Sequence, residues 1–248
     1  MGLFRKLNAS KEQIRELSVL LQEDLKFPEP EISQTTLFLP REYKSLALPT
    51  NAWEYKHAMK YLNGRNVTAS DIIKHNIGYC DSGPYQGRII VPSYDAFGKL
   101  NFFVSRSYYP DNFMAYKNPA VSKNVVGFEN HINWQEPIIL VEGVFDAMAI
   151  KRNSIPLFGK TISPKLEHEI VANNVRNIYL SLDKDALKQS LRIAERLIND
   201  GRNVYIVELG YKDPSATGFL NVVELIKKSI PLTFSKFMSL KLSLIGNL

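Results

Sequence analysis

From residue 138 onward the chain alternates short apolar runs with helical patterns, and this rhythm constrains the fold more than any other feature. Ile138–Val141 has no polar side chain, and Val144–Arg152 behind it has helical spacing. Ile155–Phe158 reads as the next strand. Ser163 and Pro164 then open a helix, serine as its cap and proline at its first position. Ile178–Leu182 is a third strand. Ala186–Asn199 is a helix that turns Leu187, Leu191, Ala194 and Ile198 inward, and Val204–Leu209 is a fourth strand. Apolar strands alternating with helices predict a mostly parallel four-stranded sheet flanked by helices.

In such sheets ligands gather at the C-terminal ends of the strands. Glu142 follows the first of these strands directly, with Gly143 behind it. Asp183 and Asp185 follow the third, and Asp213, in Lys212-Asp213-Pro214, follows the fourth. Asp146 lies one turn beyond Glu142. Carboxylates crowded at one edge repel unless a cation sits among them. Mg²⁺ (or Mn²⁺) fits, as a hard ion that takes oxygen ligands and keeps waters for a phosphate to replace. The chemistry that follows is phosphoryl or nucleotidyl transfer. The competing reading is that each acid merely caps a helix.

The front of the chain has a different rhythm. Ser10 and Gln13 form a capping box for a helix with Ile14, Leu17 and Leu21 on one face. Residues 27–52 hold Pro28, Pro30, Pro40 and Pro49 and read as a linker or extended arm. Helices follow over Trp53–Leu62, with Asn51 and Glu54 as cap pair, and over Thr68–His75, capped by Thr68 and Asp71. Gly87–Pro92 and Leu100–Ser107 then read as a hairpin turning at Asp95–Gly98. Between residues 88 and 123 five bases (Arg88, Lys99, Arg106, Lys117, Lys123) face two acids, a net +3, among eight aromatic rings. Bases among rings suit a single-stranded nucleic acid track. Half of the rings are expected as core instead, with either Phe102 and Val104 or Phe103 facing inward. Phe219–Leu248 reads as a helical tail.

Composition excludes several classes. The single cysteine, Cys80, allows neither an intrachain disulfide framework nor a zinc ribbon, and the four histidines are scattered. No apolar stretch follows the basic residues at the N-terminus as in a signal peptide, and no uncharged run is long enough to span a bilayer. A soluble cytoplasmic protein with no membrane partner is expected. The formal charge of +6 leans toward anionic partners.

Ile139-Leu140-Val141-Glu142-Gly143 and Leu182-Asp183-Lys184-Asp185 resemble the two signature patterns of the Toprim domain, the metal-binding α/β module of topoisomerases, primases and some nucleases. The segments upstream are similar in order to the RNA-polymerase domain of DnaG-type primases, phage forms included. They are Ile77-Gly78-Tyr79, Gly87–Pro92, Val104-Ser105-Arg106, Tyr116, Asn118-Pro119 and Lys123. The resemblance covers roughly residues 53–218. It implies a basic α/β subdomain over 53–136, a Toprim domain over 137–218 and a helical segment over 219–248, behind an N-terminal helix and arm over 1–52. It implies that Glu142, Asp183 and Asp185 hold catalytic metal, with Asp213 and Asp146 nearby, and that Glu142 is either a ligand or the general base. Ser215 stands where the family often has another Asp. Arg88, Arg106, Tyr116, Lys117, Asn118 and Lys123 would bind nucleotide or template. Ala115 stands where the family usually has Lys, and Lys117 would substitute for it. The implied activity is DNA-dependent synthesis of RNA primers from NTPs on single-stranded DNA, in the host cytoplasm if the chain is phage-encoded. The family's zinc ribbon is missing, so a replicative helicase or a separate zinc-ribbon protein is expected to help choose the template. A Toprim nuclease and a non-catalytic DNA- or helicase-binding module are the alternatives.

Overall fold

A computed structural model of the chain describes residues 36–110, 112–207 and 217–245. The helix expected around Ser10–Leu21, Asp111, and Asp213 with Pro214 and Ser215 lie outside the described residues. Residues from Phe38 onward form one compact unit holding two four-stranded sheets.

The first sheet is an antiparallel meander in the order β1-β2-β3-β4, with β1 Tyr43–Ser45, β2 Gly78–Cys80, β3 Arg88–Tyr94 and β4 Leu100–Ser107. Helices α1 (Trp53–Asn63) and α2 (Ala69–Lys74) lie between β1 and β2 in the chain. The α2 cap is as expected: the Thr68 side chain accepts from the Asp71 amide and the Asp71 side chain accepts from the Thr68 amide. The α1 cap differs. Ala52 occupies the cap position without a side-chain bond, because Asn51 falls one residue too early. The expected arm is also more ordered than its prolines suggest, since Tyr43–Ser45 pairs with β2. Gly78 permits this pairing: a Cβ there would lie 2.1 Å from the Tyr43 ring and 2.4 Å from the Lys44 carbonyl. Phe102 and Phe103 are both buried, so β4 is covered on both faces rather than one.

The second sheet is wholly parallel, in the order β6-β5-β7-β8, with β5 Ile138–Val141, β6 Ser154–Pro156, β7 Asn177–Leu180 and β8 Asn203–Ile206. It carries α3 (Val144–Ile150), α4 (Pro164–Ala172) and α5 (Leu187–Asn199). The Ser163 hydroxyl accepts from the Leu166 amide and Pro164 starts α4, as the sequence predicts. Alternation along β5 divides two cores. Ile139 and Val141 pack with α3 and with Leu62, Ile89 and Phe102 of the first sheet's layer. Ile138 and Leu140 pack with Leu166 of α4 and Ile193 of α5. The helices therefore cover opposite faces of the parallel sheet. The tail is two helices, α6 (Phe219–Lys228) and α7 (Phe234–Ile245), rather than one. Pro231 cannot supply the amide a continuous helix needs, and the break lets the Leu232 amide donate to the Val204 carbonyl of β8 at 2.7 Å.

Candidate active site

Strand order places the acids. β6 is added on one side of β5 and β7 on the other, so the order of strand addition reverses at the parallel β5–β7 pair. Crossovers that diverge in this way leave a crevice at the carboxyl ends of the two strands. Glu142 leaves β5 into it. Asp183 lies three residues past the end of β7 and starts the 3₁₀ turn Lys184–Ala186, which carries Asp185. Glu142, Asp183 and Asp185 each bring a carboxylate oxygen to within 4.8 Å of the others. The Asp183 amide also donates to Glu142 Oε1 at 3.3 Å. Burial, and next the charge of Asp183, push the Glu142 carboxyl above the ordinary carboxylate range. Lys160 opposes that rise, with its ammonium 3.8 Å from Glu142 Oε1 and 3.4 Å from Asp185.

A cavity of about 550 Å³ opens beside the acids. Its wall includes Glu142, Asp183, Asp146, Arg65, Tyr116 and Asn118. Gly143 keeps the wall compact, since a Cβ there would sit 3.2 Å from an Asp146 carboxylate oxygen. Asn118 accepts from the Ser105 amide at 3.1 Å, which ties the residue 116–118 segment to β4. Arg106 bridges in β fashion to Tyr116 and lays its guanidinium 4.6 Å from the centre of that ring.

The other residues flagged in the sequence are placed elsewhere. Arg88 is buried and donates to the carbonyls of Met114, at 2.7 Å, and Ala115. Lys117 donates to the Pro84 carbonyl at 2.7 Å and lies over the Tyr85 ring. Lys123 donates to the Phe158 carbonyl at 2.8 Å. Cys80 is buried, and burial pushes its thiol up to about 12, so the thiol is inert near neutral pH.

Two cations at the site were not foreseen. Arg65, just past α1, donates to the Tyr61 hydroxyl at 2.7 Å and holds its guanidinium 4.9 Å from the centre of the Phe145 ring. No periodicity marks such a residue. Lys160 lies past the end of β6, so its sequence signal is the same as that of the acids, a charge beyond a strand end.

Solved structures share this architecture. The DnaG catalytic core superposes with a TM-score of 0.63 at 19% identity, covering 78% of this chain and 77% of that one. The E. coli primase catalytic core gives 0.63 at 18% identity, over 80% and 79% of the two chains. The fold is that of a DnaG primase catalytic core. A DnaG primase catalytic domain bound to single-stranded DNA has the same fold, with a TM-score of 0.62 at 18% identity over 77% of each chain. Sequence relatives are similar in length of match but uninformative about activity. Uncharacterized protein MG010 of Mycoplasma genitalium is 27% identical over 172 residues, 63% of this chain and 76% of the relative. Its Mycoplasma pneumoniae homolog is 29% identical over 170 residues, 63% and 78%. No family model matches the chain.

Proposed function

We propose that the chain is a DNA primase catalytic subunit that makes short RNA primers from NTPs on single-stranded DNA. The observation that carries this reading is the set of three carboxylates within 4.8 Å, at the reversal of strand order in a sheet with the DnaG-core fold. The donor set, oxygen only and partly buried, suits Mg²⁺ or Mn²⁺. Glu142, Asp183 and Asp185 would hold the ion, which when bound supplies charge neutralisation at a phosphate and activation of a hydroxyl. Asp146, and Asp213 from outside the described residues, complete the acidic set expected from the sequence.

The chain's own residues do the rest. The cavity beside the acids takes the incoming nucleotide, with Arg65 offering a cation to its phosphates and Tyr116 a ring to its base. Arg106 backs Tyr116 and holds the ring's orientation. Lys123 supports the wall through the Phe158 carbonyl it binds, and Arg88 and Lys117 fix the chain on either side of Tyr116 through the carbonyls they bind. Among the described residues no helix is long and apolar enough to cross a membrane. A cytoplasmic setting supplies the NTPs and the template, and a replicative helicase or zinc-ribbon protein would supply template choice.

The test is incubation of the full chain with single-stranded DNA, labelled NTPs and Mg²⁺, with and without the replicative helicase. Short oligoribonucleotides are expected. Glu142→Gln and Asp183→Asn should each lower their yield at least about 100-fold, since even residues that only support a metal ligand are worth 10- to 100-fold. Degradation of the DNA without any RNA product would establish the nuclease alternative instead.

A further inference from the structure

The acidic cluster is paired with a cation of the chain itself. Lys160 Nζ lies 3.4 Å from both carboxylate oxygens of Asp185 and 3.8 Å from Glu142 Oε1. The segment before it is fixed in place. Phe158 holds a positive φ of 53°, which a bulky side chain adopts only when its surroundings impose it. Here the surroundings do so twice: the Phe158 ring packs 4.6 Å from Phe102 in the core, and its carbonyl accepts from Lys123 at 2.8 Å. The turn through Gly159 then delivers Lys160 to the acids. The lysine side chain keeps 39% of its surface exposed, so it is free to swing away.

An ammonium in this position offsets the repulsion among three carboxylates. It also competes with any divalent ion for the same oxygens, because a second cation sharing Glu142 and Asp185 meets the ammonium as a like charge. We propose that Lys160 is a resident counter-cation that a divalent ion displaces, and that the displaced ammonium binds the polyphosphate of the incoming nucleotide. This deepens the reading of the acids as a metal site and rests on it. Displacement couples the two ligands. Metal evicts the lysine, polyphosphate gives it a new partner, and each therefore raises the affinity for the other. The ammonium thus disfavours metal loading when no nucleotide is present.

The experiment uses the full chain and two binding measurements. Mn²⁺ titrations without nucleotide, followed by the paramagnetic resonance of the free ion, compare the wild type with Lys160→Met and Lys160→Arg. Binding of a fluorescent non-hydrolysable ATP analogue is then measured at saturating Mn²⁺. Lys160→Met should bind Mn²⁺ at least about fivefold more tightly and the analogue at least about fivefold more weakly, a coupling of ordinary size. Lys160→Arg, which keeps the charge, should stay close to the wild type in both. Unchanged or weaker Mn²⁺ binding by Lys160→Met overturns the counter-cation role, and unchanged analogue binding overturns the phosphate role. Asp183→Asn added to Lys160→Met should abolish the tightened Mn²⁺ site; a site that survives lies elsewhere and overturns the proposal. Neither measurement needs primer synthesis, so a chain that makes no RNA yet shows these shifts would refute the primase reading and leave Lys160's role standing.

Discussion

His75 shows how a single buried side chain sets a property of the whole chain. Only 6% of its surface is exposed, its ring centre lies 4.4 Å from that of Phe128, and His131 meets it edge-on at 5.1 Å. Burial, then the charges of His131 and Lys74, push its pKa down to about 3; Asp71 opposes them weakly. The unfolded chain has an ordinary histidine that titrates near 6.5. Between those values the unfolded state holds a proton that the native state refuses, so stability falls as pH falls from about 6.5 toward 3. The slope from one such group is at most about 1.4 kcal/mol per pH unit. Urea unfolding at pH 5 should therefore give a stability roughly 1–2 kcal/mol below that at pH 7.5. His75→Phe, which keeps the ring packing, should remove most of that difference; equal slopes in both proteins would show that His75 is not its source. At this scale legibility in the sequence is uneven. Glu142, Asp183 and Asp185 were legible because a strand end is a place with chemical meaning. Arg65 was not, because a base past a helix end acquires its role only through tertiary contact with Phe145.

Elements were legible where local chemistry decides them. The Thr68–Asp71 box, the Ser163-Pro164 start and the apolar run Ile138–Val141 each form from nearby residues, and each appears where the sequence puts it. Strand ends are less legible: β7 stops at Leu180, short of the expected Leu182, while the expected end of the fourth strand at Leu209 lies outside the described residues. The three-residue strands β1 and β2 are hidden, because neither is long enough to show alternation: β1 exists only through its hydrogen bonds to β2, and β2 through those to β1 and β3. Gly78 is the hinge of that dependence. A Cβ there meets the Lys44 carbonyl at 2.4 Å, and a backbone atom cannot rotate out of the way as a side chain can. Gly78→Ala should cost about 1–3 kcal/mol, the usual range for overpacking. The cost should be localised. Hydrogen exchange should show the Tyr43–Ser45 amides losing protection while those of β5 keep theirs, and protection retained in Tyr43–Ser45 would show that the edge strand does not depend on a bare Cα at residue 78.

At the scale of the molecule, two sheets of opposite type share one core. Leu62, Tyr79, Ile89 and Phe102 come from the antiparallel layer, and Ile139, Val141, Phe145 and Phe158 from the parallel one, in a single cluster of buried side chains. A core held in common removes the reason for the sheets to unfold separately, since exposing either one strands apolar surface of the other in water. Phe102 is the best probe of this, being fully buried and in ring contact with Phe158 across the two layers. Phe102→Ala should cost about 3–5 kcal/mol, as large-to-small changes of a buried phenylalanine do. The form of the loss matters more than its size. Under denaturant-dependent hydrogen exchange, the slowest amides of β3 and β4 should lose stability by the same amount as those of β5 and β7, because both open in one event. Loss confined to β3 and β4 would mean that the sheets are independent and that the acidic site could survive without the antiparallel layer. A shared loss ties the site to that layer, through the one ring that also backs Phe158 and hence the turn presenting Lys160 to the acids.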